Sequence, residues 1–374
     1  MKKFIIFIFL SLPVSLLGQD SLRQGVKYGF LPVLSFNTDD GLLFGGELKR
    51  YDYRNTLPFK SFTRIALNYY TDGAFGFTIN RNEVDVFGSD LRASTNFFSG
   101  QNFTDYYLGD TDKLGFDETR FDSSSYYAFK SFRLDMGGFT RIPIIRDGAT
   151  DRIDMKFGLR FIYETPWGTP ESRFIYDQNI EGNDGAFLSL FDVGIILERR
   201  NSEFRAQRGY FLEIGTQYAP PVISTNHTIE NYILALGFLP LSIKIPITLA
   251  SKFRFQNTIG DSPYWFSPFL GGGTSLRGYM YRRFTSDNAL SYSVEIRSWL
   301  FKIPFKNIEL GANVFVDGGK AFSNENWDKA FTNHNLTLGF GGVMAIFTPD
   351  YILKYDIGFS EDGIGIYLGT GYSF

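Results

Sequence analysis

The sequence contains no cysteine and only two histidines, His227 and His334. Without thiols the chain can hold neither a disulfide framework, nor a cysteine-linked lipid anchor, nor a thiolate metal site. Two distant histidines among scattered carboxylates make no metal site either. Neither histidine has a serine or a paired carboxylate beside it, so no nucleophile-and-base arrangement can be drawn, and the chain reads as non-enzymatic and free of cofactors. The one acid pair, in Asn37-Thr38-Asp39-Asp40-Gly41, has the composition of a hairpin turn. Outside the first eighteen residues no run of about 18 apolar residues occurs, which excludes a helical membrane protein. A formal net charge of -3 without a basic block leaves no electrostatic footprint for nucleic acid.

What the chain does have is 44% hydrophobic residues, 18% aromatics and 39 glycines in 374 residues. The start, Met1 to Gly18, places two lysines before the apolar run Phe4 to Leu10 and then small and turn-forming residues. This is the pattern of a secretory signal peptide, with cleavage expected near Gly18-Gln19, and its apolar core is too short for a membrane anchor. The domain reading is therefore residues 1–18 as signal peptide and 19–374 as one barrel, because the few residues before Val26 leave no room for a separate domain of at least about 50 residues.

Period-two alternation carries the fold class. Tyr210, Leu212, Ile214 and Tyr218 share one face of a stretch whose other face holds Glu213, Gly215 and Gln217. Likewise Leu290, Tyr292, Val294 and Ile296 oppose Ser291, Ser293, Glu295 and Arg297, and Ile308, Leu310, Ala312, Val314 and Val316 oppose Glu309, Gly311, Asn313 and Asp317. Such stretches run about ten to twelve residues, the length a tilted membrane-crossing strand needs and longer than sandwich strands usually are. The expectation is an all-β transmembrane antiparallel barrel of about sixteen strands. The sixth strand is expected over 126–138 and the last over 363–374. The longest connections, near 100–125, 164–185, 261–286 and 320–333, all follow odd-numbered strands, so an N-terminus in the periplasm makes every one extracellular.

The connection between strands 11 and 12 holds Gly271-Gly272-Gly273-Thr274-Ser275-Leu276-Arg277-Gly278-Tyr279, too polar and glycine-rich for a lipid-facing strand. Its arginine can bond a carboxylate with two N–H groups where a lysine offers a point charge. The segment Gly273 to Tyr279 resembles the arginine-glycine-aromatic signature of the superfamily of outer-membrane barrels that includes BamA, TamA and the two-partner secretion transporters, the bacterial surface antigen family. In that family the motif lies at the tip of the sixth extracellular loop, folded into the lumen. A second stretch, Val314-Phe315-Val316-Asp317-Gly318-Gly319, resembles the family's aspartate-glycine motif on the thirteenth strand, whose carboxylate meets the loop arginine.

The resemblance runs from about residue 26 to the C-terminus. It implies a multi-pass barrel of the bacterial outer membrane that works in insertion, assembly or translocation of proteins. Its expected partners are outer-membrane lipids, client outer-membrane or secreted proteins, and periplasmic or outer-membrane helper subunits. Most members carry periplasmic domains before the barrel, for which this chain has no room, and the alternative reading is a passive pore or a scaffold subunit binding other outer-membrane proteins. The expected lumenal motif is Leu276, Arg277, Gly278 and Tyr279 with Asp317 and Gly319 as partner, and Glu295 and Glu309, inward by the same alternation, compete as acceptors. At the closure of the cylinder, Pro32 in the first strand and Gly365, Gly369 and Gly371 in the last are expected to weaken pairing, leaving a lateral seam. The final residues, with Tyr367, Gly369, Tyr372 and Phe374 in alternating phase, look like the C-terminal signal by which barrels are recognised for insertion.

Overall fold

The computed structural model describes residues 24–37, 41–54, 58–71, 73–101, 105–111, 116–147, 151–242, 245–303, 308–372 and 374. The expected signal peptide lies outside them. One antiparallel sheet of sixteen strands dominates. Its strands are β1 (Val26–Asn37), β2 (Gly41–Asp52), β3 (Ser61–Tyr70), β4 (Phe75–Val84), β5 (Arg92–Gln101), β6 (Ser131–Asp147), β7 (Asp151–Pro166) and β8 (Ala186–Glu198). The second half comprises β9 (Gly209–Ala219), β10 (Thr228–Ser242), β11 (Pro246–Gly260), β12 (Asn288–Ile303), β13 (Ile308–Phe322), β14 (Asn335–Ala345), β15 (Ile352–Ser360) and β16 (Gly363–Thr370). Each pairs with the next in chain order, and among the described residues no ladder joins β1 to β16.

The alternation explains why the sheet curls. Side chains of one phase are apolar and exposed, such as Val314, Val316 and Leu338, whereas the other phase buries charged groups, Asp317 and Glu295 each being 1% exposed. Polar atoms enclosed away from water need partners, and a rolled sheet gives them a common lumen while the apolar phase faces lipid. The ends of the sheet meet through side chains beside the 346–351 turn. There Tyr351 packs where a Cβ on Gly29 would come within 2.6 Å of its ring, and the Tyr53 hydroxyl donates to Asp350 at 2.9 Å.

The long connections all lie at one end and pack into a dome. Tyr107, Tyr127, Phe129, Phe174, Tyr264 and Trp265 form its buried aromatic core, and a two-residue ladder pairs Asp105–Tyr106 with Ala128–Phe129. This ladder corrects the expected sixth strand. The aromatic run Tyr126-Tyr127-Ala128-Phe129 belongs to the dome, and β6 begins only at Ser131 and continues past Pro143. A register shift between Pro143 and Ile145 absorbs that proline, which has no N–H for the ladder. The last strand is also shorter than expected: it ends at Thr370, and Gly371, at φ +84°, turns the chain into the lumen.

Candidate functional site

The connection 261–287 enters the lumen and returns to the wall at β12, β13, β15 and β16. Its anchor is apolar: Leu276 is fully buried with Leu270, Tyr279, Ala289 and Ala321, and Tyr279 meets Phe284 edge-on at 5.1 Å. Between these two anchors Arg277 is turned toward the wall and is 2% exposed. Its Nε donates to Asp317 Oδ2 at 2.8 Å and its Nη2 to Asp317 Oδ1 at 2.7 Å, the two-pronged geometry only a guanidinium can make. The Arg277 backbone N–H donates to the same carboxylate at 3.1 Å.

Four further groups complete the cage. Nη1 lies 2.6 Å from Glu295 and 3.2 Å from Asp356, Nη2 donates to the Ser293 hydroxyl at 3.2 Å, and the guanidinium lies 3.3 Å from the centre of the Phe315 ring. The carboxylates are tied in turn, Glu295 to Arg297 at 2.7 Å and Asp356 to Lys354 at 3.2 Å and Asn313 at 3.1 Å. A buried cation with three carboxylates within reach is held by charge and by hydrogen bonds at once. Such a network fixes geometry because removing a member leaves a buried partner short of its bonds.

Glu309 is not part of it. It lies eight residues down β13 from Asp317, about 27 Å along the strand, and is held by Arg205 at 2.6 Å. Gly319 sits one inward step above Asp317 and leaves space for Leu270, whose Cδ1 would be 3.0 Å from an added Cβ. Ser293 stands directly across the ladder from Asp317. Phe315 and Asp317 share the inward phase, a spacing that could have marked both rings and carboxylate from the sequence. Asp356 carried no such signal.

The last hairpin grips the same loop tip. Gly278, at φ +115°, presses against the backbone of Phe359 and Ser360, and an added Cβ on Gly358 would come within 2.5 Å of the Arg277 carbonyl carbon and oxygen. From β16, the Tyr367 hydroxyl accepts from the Gly278 N–H at 2.9 Å and donates to the Tyr279 carbonyl at 3.0 Å. Gly365 makes room for this, since a Cβ there would meet the Tyr367 hydroxyl at 2.4 Å. Arg283 pairs with Asp362 at 2.5 Å in the turn between β15 and β16. Tyr367 therefore points into the lumen, and so do Tyr372 and Phe374. Arg297 stacks on both of the latter rings, at 4.2 and 4.4 Å, and donates to the Phe374 carbonyl at 3.2 Å. Tyr372 and Phe374 are thus packed inside the barrel rather than continuing the outer wall.

Pro32 lies within β1 opposite Gly46 of β2. The two histidines sit at the dome end, His227 edge-on to Tyr218 at 5.8 Å and His334 against Tyr292 at 5.6 Å. Among the described residues no group of three or more His, Cys, Asp or Glu side chains is placed to hold a metal ion.

The fold is shared with solved barrels. BamA from Haemophilus ducreyi lacking POTRA domains 1-3 superposes with a TM-score of 0.57 at 13% identity, covering 93% of this chain and 69% of that one. CdiB from Escherichia coli gives 0.63 at 11%, covering 98% and 67%, and CdiB from Acinetobacter baumannii gives 0.58 at 11%, covering 99% and 66%. This chain thus spans about two thirds of each. No curated protein matches the sequence. The model of the Omp85 superfamily domain matches residues 60–374, and with an inward loop, its caged arginine and sixteen strands in sequential order, the chain belongs to the Omp85 superfamily.

Proposed function

We propose that this barrel inserts or translocates polypeptides at the bacterial outer membrane, and that the join between β1 and β16 is the place where a client strand engages it. The supporting observation is how β16 is held. Each of the other neighbouring pairs in the sheet is joined by a ladder, whereas among the described residues β16 is laddered on one side only, to β15. Its other attachments are to the lumenal loop through Tyr367 and Asp362. An edge strand with unpaired backbone groups is a template for a further strand, and Pro32 on the facing strand cannot donate to a closing ladder. With the long-loop dome facing outward and the short turns in the periplasm, a client arriving from the periplasm reaches this edge directly. BamA and CdiB share the fold, and membership of the superfamily agrees with this reading. A passive pore fits less well, because the loop 261–287 and its cage occupy the lumen.

The test uses the absence of native cysteine. Single cysteines are placed in β1 near Leu34 and in β16 at positions scanned from Ile364 to Leu368, and the pairs are oxidised in cells. Locking is expected to abolish activity, measured as assembly of outer-membrane proteins or appearance of secreted ones, with reduction restoring it. A locked barrel that keeps full activity rules out the seam as the route.

A further inference from the structure

Between Glu198 and Gly209 lies a ten-residue connection, 199–208, at the short-turn end. It does not hang into the periplasm. Its neck is closed by backbone pairs, the Arg199 N–H donating to the Tyr210 carbonyl at 2.8 Å and the Asn201 N–H to the Arg208 carbonyl at 3.1 Å. The Asn201 side chain accepts from the backbone N–H groups of Gln207 and Arg208 at 2.9 and 3.0 Å. The neck is therefore rigid, and the tip, residues 203–206, projects from it.

The four tip residues contact widely separated parts of the wall. Glu203 is paired with Arg92 of β5. Burial alone would raise the Glu203 carboxyl, but the nearby Arg92 and Arg141 charges outweigh it and hold the group below its ordinary value. Phe204 packs against Tyr51 of β2 and Phe62 of β3, at 5.6 and 5.4 Å. Arg205 reaches to Glu309 of β13 at 2.6 Å and lies 3.6 Å from the centre of the Trp299 ring of β12. Ala206 is buried among Leu236 and Phe238 of β10 and Ala250 of β11, with Phe374 against the same cluster.

A turn that merely linked β8 to β9 would touch its own two strands and their neighbours. This one sends side chains to β2, β3, β5 and β10 to β13, so it extends across the opening. We infer that residues 199–208 are a plug that closes the periplasmic mouth of the barrel, latched by the Arg205–Glu309 and Glu203–Arg92 pairs and seated partly on the end of the chain at Phe374. The lumen is then closed twice, by the loop 261–287 from above and by this segment from below. The seat at Phe374 ties the plug to residues that follow β16, so movement of the last strand unseats it. The plug closes the mouth whichever polypeptide the barrel handles.

The plug is tested by thiol accessibility. Ala250→Cys puts the only thiol of the chain on the inner wall against Ala206, and its reaction with a small water-soluble maleimide is followed in the folded, detergent-purified barrel. The cysteine is expected to react slowly. Arg205→Glu, which sets two carboxylates against each other, is expected to raise the rate about tenfold or more. Adding Glu309→Arg restores the pair with reversed sign and returns the rate to within about twofold of the start. Heat-modifiable gel mobility shows that each variant is a folded barrel, and if Arg205→Glu fails to fold, Glu309→Ala, which leaves the plug sequence intact, takes its place. Fast labelling of the Ala250→Cys barrel with its plug intact overturns the inference, and so does a rate that neither Arg205→Glu nor Glu309→Ala changes.

Discussion

Removing Arg277 should cost the barrel more than removing any one of its partners, and the geometry says by how much. Arg277→Ala leaves Asp317 with only Ser293, at 2.6 Å, and the backbone N–H of residue 277, at 3.1 Å. Glu295 keeps Arg297, and Asp356 keeps Lys354 and Asn313. One carboxylate of three is thus left buried without a hydrogen-bonded cation, Lys252 acting on it only through its charge, and loss of a buried pair by removing one member costs about 3–5 kcal/mol. Asp317→Ala leaves the arginine near Glu295 and Asp356, still charge-paired, so its cost is that of the hydrogen bonds the carboxylate accepts from Arg277 and Ser293, about 1.5–3 kcal/mol. If the pair acts as a unit, the double variant costs less than the sum by about 2 kcal/mol, within the range for groups in direct contact. The assay is urea unfolding of the barrel in lipid vesicles, followed by fluorescence of its four tryptophans, with protease cleavage within 261–287 as a second readout. A coupling below about 0.5 kcal/mol would refute the cage as the device that holds the loop. Arg277→Lys is the sharper control: it retains the charge and loses the fork, and so should lie between the wild type and Arg277→Ala.

Two further outcomes concern the loop tip and the dome. Gly358→Ala places a methyl group within 2.5 Å of the Arg277 carbonyl, so the loop tip must move off β15; protease cleavage of 261–287 should rise while the barrel's heat-modifiable mobility is kept, and unchanged cleavage would show that the tip does not rest there. In the dome, burial pushes the Asp105 carboxyl up to about 6, against the opposing Arg282 charge. Its folded value lies above the unfolded one, so the neutral acid is the form the fold favours, and the contribution of Asp105 to the dome's stability is full below about pH 4 and is lost as pH rises through 6. Hydrogen exchange of 105–130 should quicken between pH 5 and 7 beyond the intrinsic pH dependence of exchange, and Asp105→Asn should abolish that excess.

Much of the wall was legible because a lipid-facing sheet enforces strict alternation. Strands such as β9, β12 and β13 show it through most of their length, Thr216 and Phe315 being exceptions, and the count of sixteen follows. Legibility failed where aromatics served another purpose: Tyr126, Tyr127 and Phe129 read as strand residues, yet their partners are Tyr107, Phe174 and Tyr264 of the dome. Alternation also says which residues face inward but not how high they stand, which is why Glu309 could be set beside Asp317 as an acceptor although it lies at the opposite end of β13. Asp356 and Tyr367 reach Arg277 and Gly278 across register relations that only the assembled sheet defines. The connection 199–208, with four arginines in ten residues, has the composition of a solvated turn, and nothing local signals that Phe204 and Arg205 are turned inward.

The loop 261–287 draws its contacts from chain that comes after it. Arg277 meets Asp317 forty positions on and Asp356 seventy-nine on, and Gly278 meets Tyr367 eighty-nine on. Contacts so distant along the chain are repaid only after long segments have been brought together. The loop can therefore complete its docking only once the final hairpin is in place, and until then its arginine lacks Asp356 and its tip lacks Tyr367. Lumenal docking is consequently a late event in the folding of this barrel, a built-in record that the C-terminal strands have arrived.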